Sequence, residues 1–299
     1  MKVPPILKKS NKVAIMAPAG KISKEIADAV HLFKSWDLDV VIGKSVSSCF
    51  HQFAGDDQLR ANELQLMLDD DSINAIFAAR GGYGTVRIID AIDFSKFSVK
   101  PKWLIGFSDI TVLHGHIYKS FGIPTIHGPM PSTIPQATPT SLETLRKALF
   151  GEEISYEYES LFDTVDGTAE GVLIGGNLAI LVSVSGSISE PDYTDKILFI
   201  EDVGEYYYSV DRMMRMLKRA GKLKNLKGLI IGGFTEMKDS NPGFGFSAEE
   251  IILDLVREYG YPVATNFPAG HIDNNQSLIL GRNVVLQVNK NSITLNYRQ

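Results

Sequence analysis

The chain has 299 residues, long enough for one large domain or two ordinary ones. Its composition, 44% hydrophobic and 22% charged, is that of a globular protein, and a net charge of -5 with scattered Lys and Arg gives no electrostatic footprint for nucleic acid. No apolar run is long enough to span a bilayer, the N-terminus lacks the apolar stretch of a signal peptide, and the lone Cys49 can form no intrachain disulfide; a cytoplasmic protein with no nucleic-acid or membrane partner is expected.

The first half alternates strand and helix patterns. Lys12 to Ala17 is an apolar run ending in Pro18-Ala19-Gly20, a strand and its loop. Ser23 is placed to cap a helix with Ile26, Ala29, Val30 and Phe33 on one face. Leu38 to Ile42 reads as a strand, and Asp57 to Leu68 as a helix with Ala61, Leu64 and Leu68 inward. Ala75 to Ala79 is a buried strand running into Arg80-Gly81-Gly82-Tyr83-Gly84, after which a helix pattern continues to about Ile92. Trp103 to Gly106 is a strand, Asp109 to Ser120 a helix and Ile123 to Ile126 a strand. Continuous apolar strands separated by helices predict a parallel sheet covered on both faces, of the flavodoxin or Rossmann type.

The texture changes where Pro129, Pro131, Pro135 and Pro139 cluster. A helix follows at Thr140 to Phe150, then the acidic, polar stretch Glu152 to Asp166. From Glu170 a second region has strands at Val172–Ile174, Ile197–Ile200 and Leu229–Ile231, helices near 177–184, 209–220 and 247–259, and short terminal strands. The division expected is an N-terminal α/β domain over 1–135, a linker over 136–169 and a C-terminal mixed β/α domain over 170–299.

Ile105-Gly106-Phe107-Ser108-Asp109-Ile110-Thr111 places a serine where an apolar strand turns sharply into a helix. Such an elbow projects the hydroxyl above the carboxyl edge of the sheet and aims the next backbone N–H, that of Asp109, at a developing oxyanion. The usual form is G-x-S-x-G, and Ile110 stands at the second glycine, so Ser108 also fits a plain helix N-cap. The loop Arg80 to Gly84 follows a strand of the same sheet. It is neither a Walker loop nor G-x-G-x-x-G, which favours seating a substrate or an oxyanion over binding phosphate.

A serine nucleophile needs a base, and the base needs an orienting acid. His31 and His51 fall on a helix and a polar loop. His114 and His116, two apart on one helix, point to different faces, and there is no H-E-x-x-H, so no metal is expected. His127, ending a strand, and His271, in the polar loop Phe267 to Asn275, both remain as bases. Glu201, Asp202 and Glu205, at the end of the apolar strand Lys196 to Ile200, compete as the acid.

Six motifs in order resemble the LD-carboxypeptidase family of serine peptidases, which includes the microcin C immunity peptidases. They are Arg80 to Gly84, Gly106 to Thr111, His127-Gly128-Pro129-Met130, Gly175-Gly176-Asn177-Leu178, Glu201 to Glu205 and Gly270-His271. The resemblance spans the chain from about Lys12. It implies Ser108 as nucleophile, Glu201 as acid and His271 as base, with oxyanion donors on Asp109 and Gly82. A carboxypeptidase must also read a free carboxylate, for which Arg80 is a candidate, and Arg80, Gly81 and Tyr83 of the glycine loop are the expected substrate contacts. The resemblance implies no cofactor, a homodimer, and a site between the two domains. The implied substrate is a cytosolic murein tetrapeptide losing its terminal D-alanine during cell-wall recycling. The alternative is an aminoacyl-nucleotide conjugate, for which Tyr206, Tyr207 and Tyr208 could supply a platform.

Overall fold

In the computed structural model, which describes residues 2–23 and 25–298, the apolar runs of the first half become strands. They are β1 (Lys12–Met16), β2 (Asp39–Ile42), β3 (Ile73–Ala78), β4 (Trp103–Gly106) and β5 (Thr125–His127). All pair in parallel, in the order β5-β4-β3-β1-β2. The helices between them are α1 (Ala27–Ser35), α2 (Asp57–Asp69), α3 (Ser95–Val99) and α4 (Thr111–Phe121). All four residues of β4 are buried, as two-sided coverage requires.

The chain continues through α5 (Pro139–Phe150), β6 (Ser155–Glu159), β7 (Gly167–Asn177), α6 (Leu178–Ser183), β8 (Lys196–Val203), α7 (Tyr207–Arg219), β9 (Gly228–Thr235), α8 (Ala248–Val256), β10 (Val263–Ala264), β11 (Leu278–Leu280), β12 (Asn283–Asn289) and β13 (Ser292–Tyr297). A second, mixed sheet has the order β10-β9-β8-β7-β12-β13-β6. Its β7 to β10 run parallel, while β12, β13 and β6 are antiparallel. The architecture is therefore the expected α/β type with a mostly parallel first sheet and a mixed second one. Among the described residues no helix is long and apolar enough to cross a membrane.

Several local expectations are corrected. Ser23 does not cap α1; the helix starts at Ala27 with Ile26 at its N-cap and no side-chain cap bond. The preceding chain is held instead by neighbouring loops, through Gly20 N–H to Gly81 O and Lys21 N–H to Gln52 O. The helix expected after Gly84 is two 3₁₀ turns, Thr85–Arg87 and Ile89–Ala91, because Gly84 has φ 143° and the Thr85 N–H donates to Asp109 rather than into a helix. The stretch 136–169 contains α5, capped by Thr138, and β6, which forms the edge of the second sheet.

The structure also shows a strand crossing that periodicity does not reveal. Leu278 to Leu280 leave the second region and pair antiparallel with β5, Leu278 opposite His127. One buried cluster accordingly runs through both sheets, from Val13 and Ile105 through Ile126 and Leu278 to Phe199, Phe267 and Leu295. Sheets that share a core should melt together. Leu278→Ala is expected to cost about 2–5 kcal/mol, read from a lowered urea midpoint, while unfolding stays a single transition. Two separate transitions would show that the halves are independent.

Candidate active site

Ser108 stands at the carboxyl end of β4 with φ 64°, in the left-handed region that non-glycine residues rarely adopt. The 3₁₀ turn it opens has Phe107, not Ser108, at its N-cap, and no side chain caps it. The helix-cap reading of Ser108 is therefore removed, and the sharp elbow is the local geometry. Ile110, the departure from G-x-S-x-G, fits because Gly106 has no Cβ: one built there would lie 2.8 Å from Ile110 Cγ1.

The glycine loop lies against this elbow. A Cβ on Gly81 would come 2.9 Å from Ser108 Cβ, 3.1 Å from its Oγ and 3.4 Å from the Asp109 nitrogen, so only glycine lets the loop approach so closely. Gly81 O accepts the Gly20 N–H at 3.0 Å. Because the peptide is planar and trans, the Gly82 N–H points the opposite way, away from Gly20. Arg80 donates from Nη1 to Lys21 O at 2.6 Å, and Tyr83 is half exposed with its ring 6.0 Å from Phe53.

The second sheet delivers a histidine and an acid. Glu201 is fully buried on β8, and among the described residues its carboxylate has one hydrogen-bond partner, His271, whose Nδ1 lies 2.6 Å from Oε2. Glu201 sits where the β8–β9 register shifts between Ile200 and Asp202, a bulge that re-aims a side chain. The loop bearing His271 is pinned to β9 by Gly233 N–H to Ala269 O at 2.9 Å and Thr235 Oγ1 to His271 O at 3.0 Å. Gly270, with φ 114°, leaves room for the acid: a Cβ there would fall 2.8 Å from Glu201 Cβ. The His271 ring packs on Phe107, centroids 4.8 Å apart, which brings the histidine beside the serine elbow.

The competing residues lie elsewhere. His127 is fully buried, with both ring nitrogens lacking hydrogen-bond partners among the described residues. Burial, with His114 and His271 nearby, holds its pKa well below 6.5. Asp202 faces away from Glu201, as strand alternation dictates, and accepts from Asn177 Nδ2 at 2.8 Å and Ala179 N–H at 2.9 Å. Burial and the Glu201 charge push its carboxyl up to about 6. Glu205 uses its carbonyl to receive the Lys238 N–H. The contact missed in the sequence is Thr111, at the start of α4, whose Oγ1 receives the Asn177 N–H at 3.0 Å. Asn177 thus ties the serine-bearing helix to the strand beside Glu201. Its Gly-Gly-Asn setting marks a helix cap, but no local pattern names Thr111 as its partner.

A cleft of about 240 Å³ opens beside His271, lined among others by Phe107, Gln136, Glu236 and Asp273. A larger groove of about 800 Å³ lies between α7 and α8 and includes none of the candidate residues. Among the described residues no cluster of His, Cys, Asp or Glu could hold a metal ion.

Residues 13–128 match the LD-carboxypeptidase N-terminal domain, and residues 170–286 match the LD-carboxypeptidase C-terminal domain. A probable murein peptide carboxypeptidase of Bacillus subtilis is 35% identical over 284 residues, covering 93% of this chain and 89% of the relative. The chain belongs to the LD-carboxypeptidase family. It is a serine-type carboxypeptidase, a hydrolase. The solved muramoyltetrapeptide carboxypeptidase of Oxalobacter formigenes superposes with a TM-score of 0.87 at 29% identity, covering 96% of this chain and 99% of that one. The microcin C7 self-immunity protein MccF shares the fold, with a TM-score of 0.88 at 21% identity and 98% coverage of both chains.

The electrostatics of His271 give a direct test. Burial alone would lower its pKa; the Glu201 carboxylate, aided by Asp202 and Glu236, outweighs burial and raises it above 6.5. A raised folded-state pKa stabilises the fold fully below about 6.5, and that contribution is lost as pH rises through the folded value. The ring resonances of His271 are expected to titrate above 6.5 in the intact carboxypeptidase and to shift to lower pH in Glu201→Gln. An unshifted midpoint would mean that the pair does not exist in solution.

Proposed function

We propose that this LD-carboxypeptidase uses Ser108 as nucleophile, His271 as general base and Glu201 as the acid that orients it, to release terminal D-alanine from murein tetrapeptides. The observation that carries this reading is the buried Glu201–His271 pair packed against the elbow of a left-handed serine. With Nδ1–H donated to Glu201, Nε2 is the nitrogen that lacks a proton in the neutral imidazole, as a base requires.

The steps follow from these groups. Ser108 Oγ attacks the carbonyl of the L,D amide while His271 takes its proton. The backbone N–H groups of Asp109 and Gly82 stabilise the oxyanion, a contribution of about 3 kcal/mol per donor in related chemistry. His271, now charged against Glu201, protonates the departing D-alanine amine. Water then attacks the acyl-serine as His271 accepts its proton; the ester bond to Ser108 Oγ breaks, His271 returns the proton to Oγ, and the shortened peptide leaves. Arg80, Gly81 and Tyr83 form the loop that would seat the substrate, with Arg80 a candidate for its terminal carboxylate. The same reading carries a homodimer working in the cytoplasm in cell-wall recycling, which light scattering and cell fractionation test.

The aminoacyl-nucleotide alternative fits the fold shared with MccF and draws on the exposed, stacked rings of Tyr206 and Tyr208, centroids 5.2 Å apart. Three relatives above 25% identity are named for murein or muramoyl peptides, which favours the tetrapeptide. Purified protein incubated with L-Ala-D-Glu-meso-diaminopimelate-D-Ala is expected to release D-Ala, measured by mass spectrometry. Ser108→Ala and His271→Ala should each lower kcat by on the order of 10⁴-fold or more. No release by the wild type, or equal release by Ser108→Ala, would sink the proposal.

A further inference from the structure

Arg60 is the largest side chain that the structure buries completely, on the face of α2 expected to be apolar. Burying a guanidinium costs several kcal/mol unless its donors are used, and an apolar residue of similar volume commonly serves stability as well or better. What Arg60 touches therefore bears on why it is there. Its Nη1 donates to the carbonyls of Pro18 and Gly84, the latter at 3.0 Å, and its Nη2 to the Asp57 carboxylate. Asp57 is gripped from outside by Arg87, and both guanidinium groups lie over the Phe53 ring, at 5.0 Å and 5.2 Å.

The carbonyl of Gly84 and the N–H of Thr85 belong to one peptide group. Arg60 holds its oxygen, and Asp109 Oδ2 accepts its N–H at 2.8 Å. The peptide dipole thus lies between a cation and a carboxyl group, a charge-assisted bridge at both ends. Asp109 also owns the backbone N–H proposed as an oxyanion donor. The other end of the glycine loop is held through the same guanidinium: Pro18 O accepts from Arg60, and two residues on, Gly20 N–H donates to Gly81 O at 3.0 Å.

We infer that Arg60 is a positioning residue for oxyanion binding, acting through the Gly84–Thr85 peptide to set the glycine loop against the Asp109 amide. This rests on Ser108 being the nucleophile, and it goes beyond that reading by assigning a buried helix residue to the rate. A lysine reaches fewer acceptors than the guanidinium fork, so Arg60→Lys loosens the bridge while keeping the charge.

The test uses two readouts on the full chain: kcat and KM on the tetrapeptide, and the rate at which a fluorophosphonate labels Ser108. A displacement of about an ångström at a reacting centre costs on the order of 100-fold. Arg60→Lys is expected to lower kcat and the labelling rate together by about 10- to 100-fold, with KM within about threefold and affinity for the tripeptide product unchanged. A folded Arg60→Lys protein that keeps both rates within threefold, or one that loses product affinity in step with rate, overturns the inference. Should Arg60→Lys fail to fold, Asp57→Ala removes the guanidinium's partly exposed anchor. It is then expected to slow labelling severalfold and to speed hydrogen exchange of the amides in 80–85; no change in either overturns the inference. A wild type that is labelled at Ser108 but releases no D-alanine sinks only the substrate assignment, whereas no labelling at Ser108 overturns both.

Discussion

A carboxylate without exposed surface must find a partner or lose its charge. Glu201 finds one at 2.6 Å, the Nδ1 of His271. Much of the second sheet is arranged around that contact. The bulge in β8 turns Glu201 toward the loop, Gly270 gives up a Cβ to let it in, and β9 grips the backbone on both sides of the histidine. Asp202, one residue on, is kept off the imidazole by strand alternation and by Asn177. The pair is useful only if it faces the elbow of the other sheet. Two connections secure this, the return of β11 to pair with β5 and the hydrogen bond from Asn177 to Thr111.

The alternation of strands and helices was legible because the two periods, 2 and 3.6 residues, leave different marks on an apolar run. Trp103–Gly106 has the bounds expected of it, and the second helix starts at Asp57 as expected, with Asp56 as its N-cap. What escaped was decided at long range. The helix pattern after Gly84 fails because Thr85 N–H is claimed by Asp109, 24 residues away. The three residues of β11 look like any other short strand of the second region, and nothing in them announces that they join the first sheet. The elbow at Ser108 was ambiguous for a related reason: a serine after a strand and before a helix reads as a cap, and only its φ of 64° separates the two.

The same limit applied to the histidines. His127 ends a strand and His271 lies in a polar loop, and neither periodicity nor local pattern chooses between them. The distinction is a carboxylate 70 residues away in sequence that meets His271, whereas His127 has no such partner among the described residues. Motif order, rather than spacing, pointed to His271. The α2 face shows the converse limit. Periodicity names Ala61, Leu64 and Leu68 as inward, but it does not show that the charged Arg60 and Glu63 beside them are buried too. Glu63 binds the Lys44 and Ser45 backbone, and Ser45 Oγ in turn receives the Ala17 N–H at 2.8 Å. That helix therefore packs on the loops of the carboxyl edge through polar contacts, which a hydrophobic pattern does not register.

Holding Ser108 in the left-handed region costs roughly 1–3 kcal/mol, which the surrounding packing must offset. Here the offset comes from parts that also shape the proposed chemistry. Ile110 fills the space left by Gly106, Gly81 closes over the hydroxyl, and Asp109 fastens the loop that carries Gly82. The first sheet thus folds with its strained serine and proposed oxyanion donors already set, while the second sheet folds with its acid and histidine set. Neither half holds all three residues of the proposed triad. Because one buried core runs through both, their alignment is fixed when that core forms rather than when a hinge closes on substrate. Substitutions in the seam at Thr111, Asn177 or Leu278 therefore act on the distance between serine and histidine, without touching either residue.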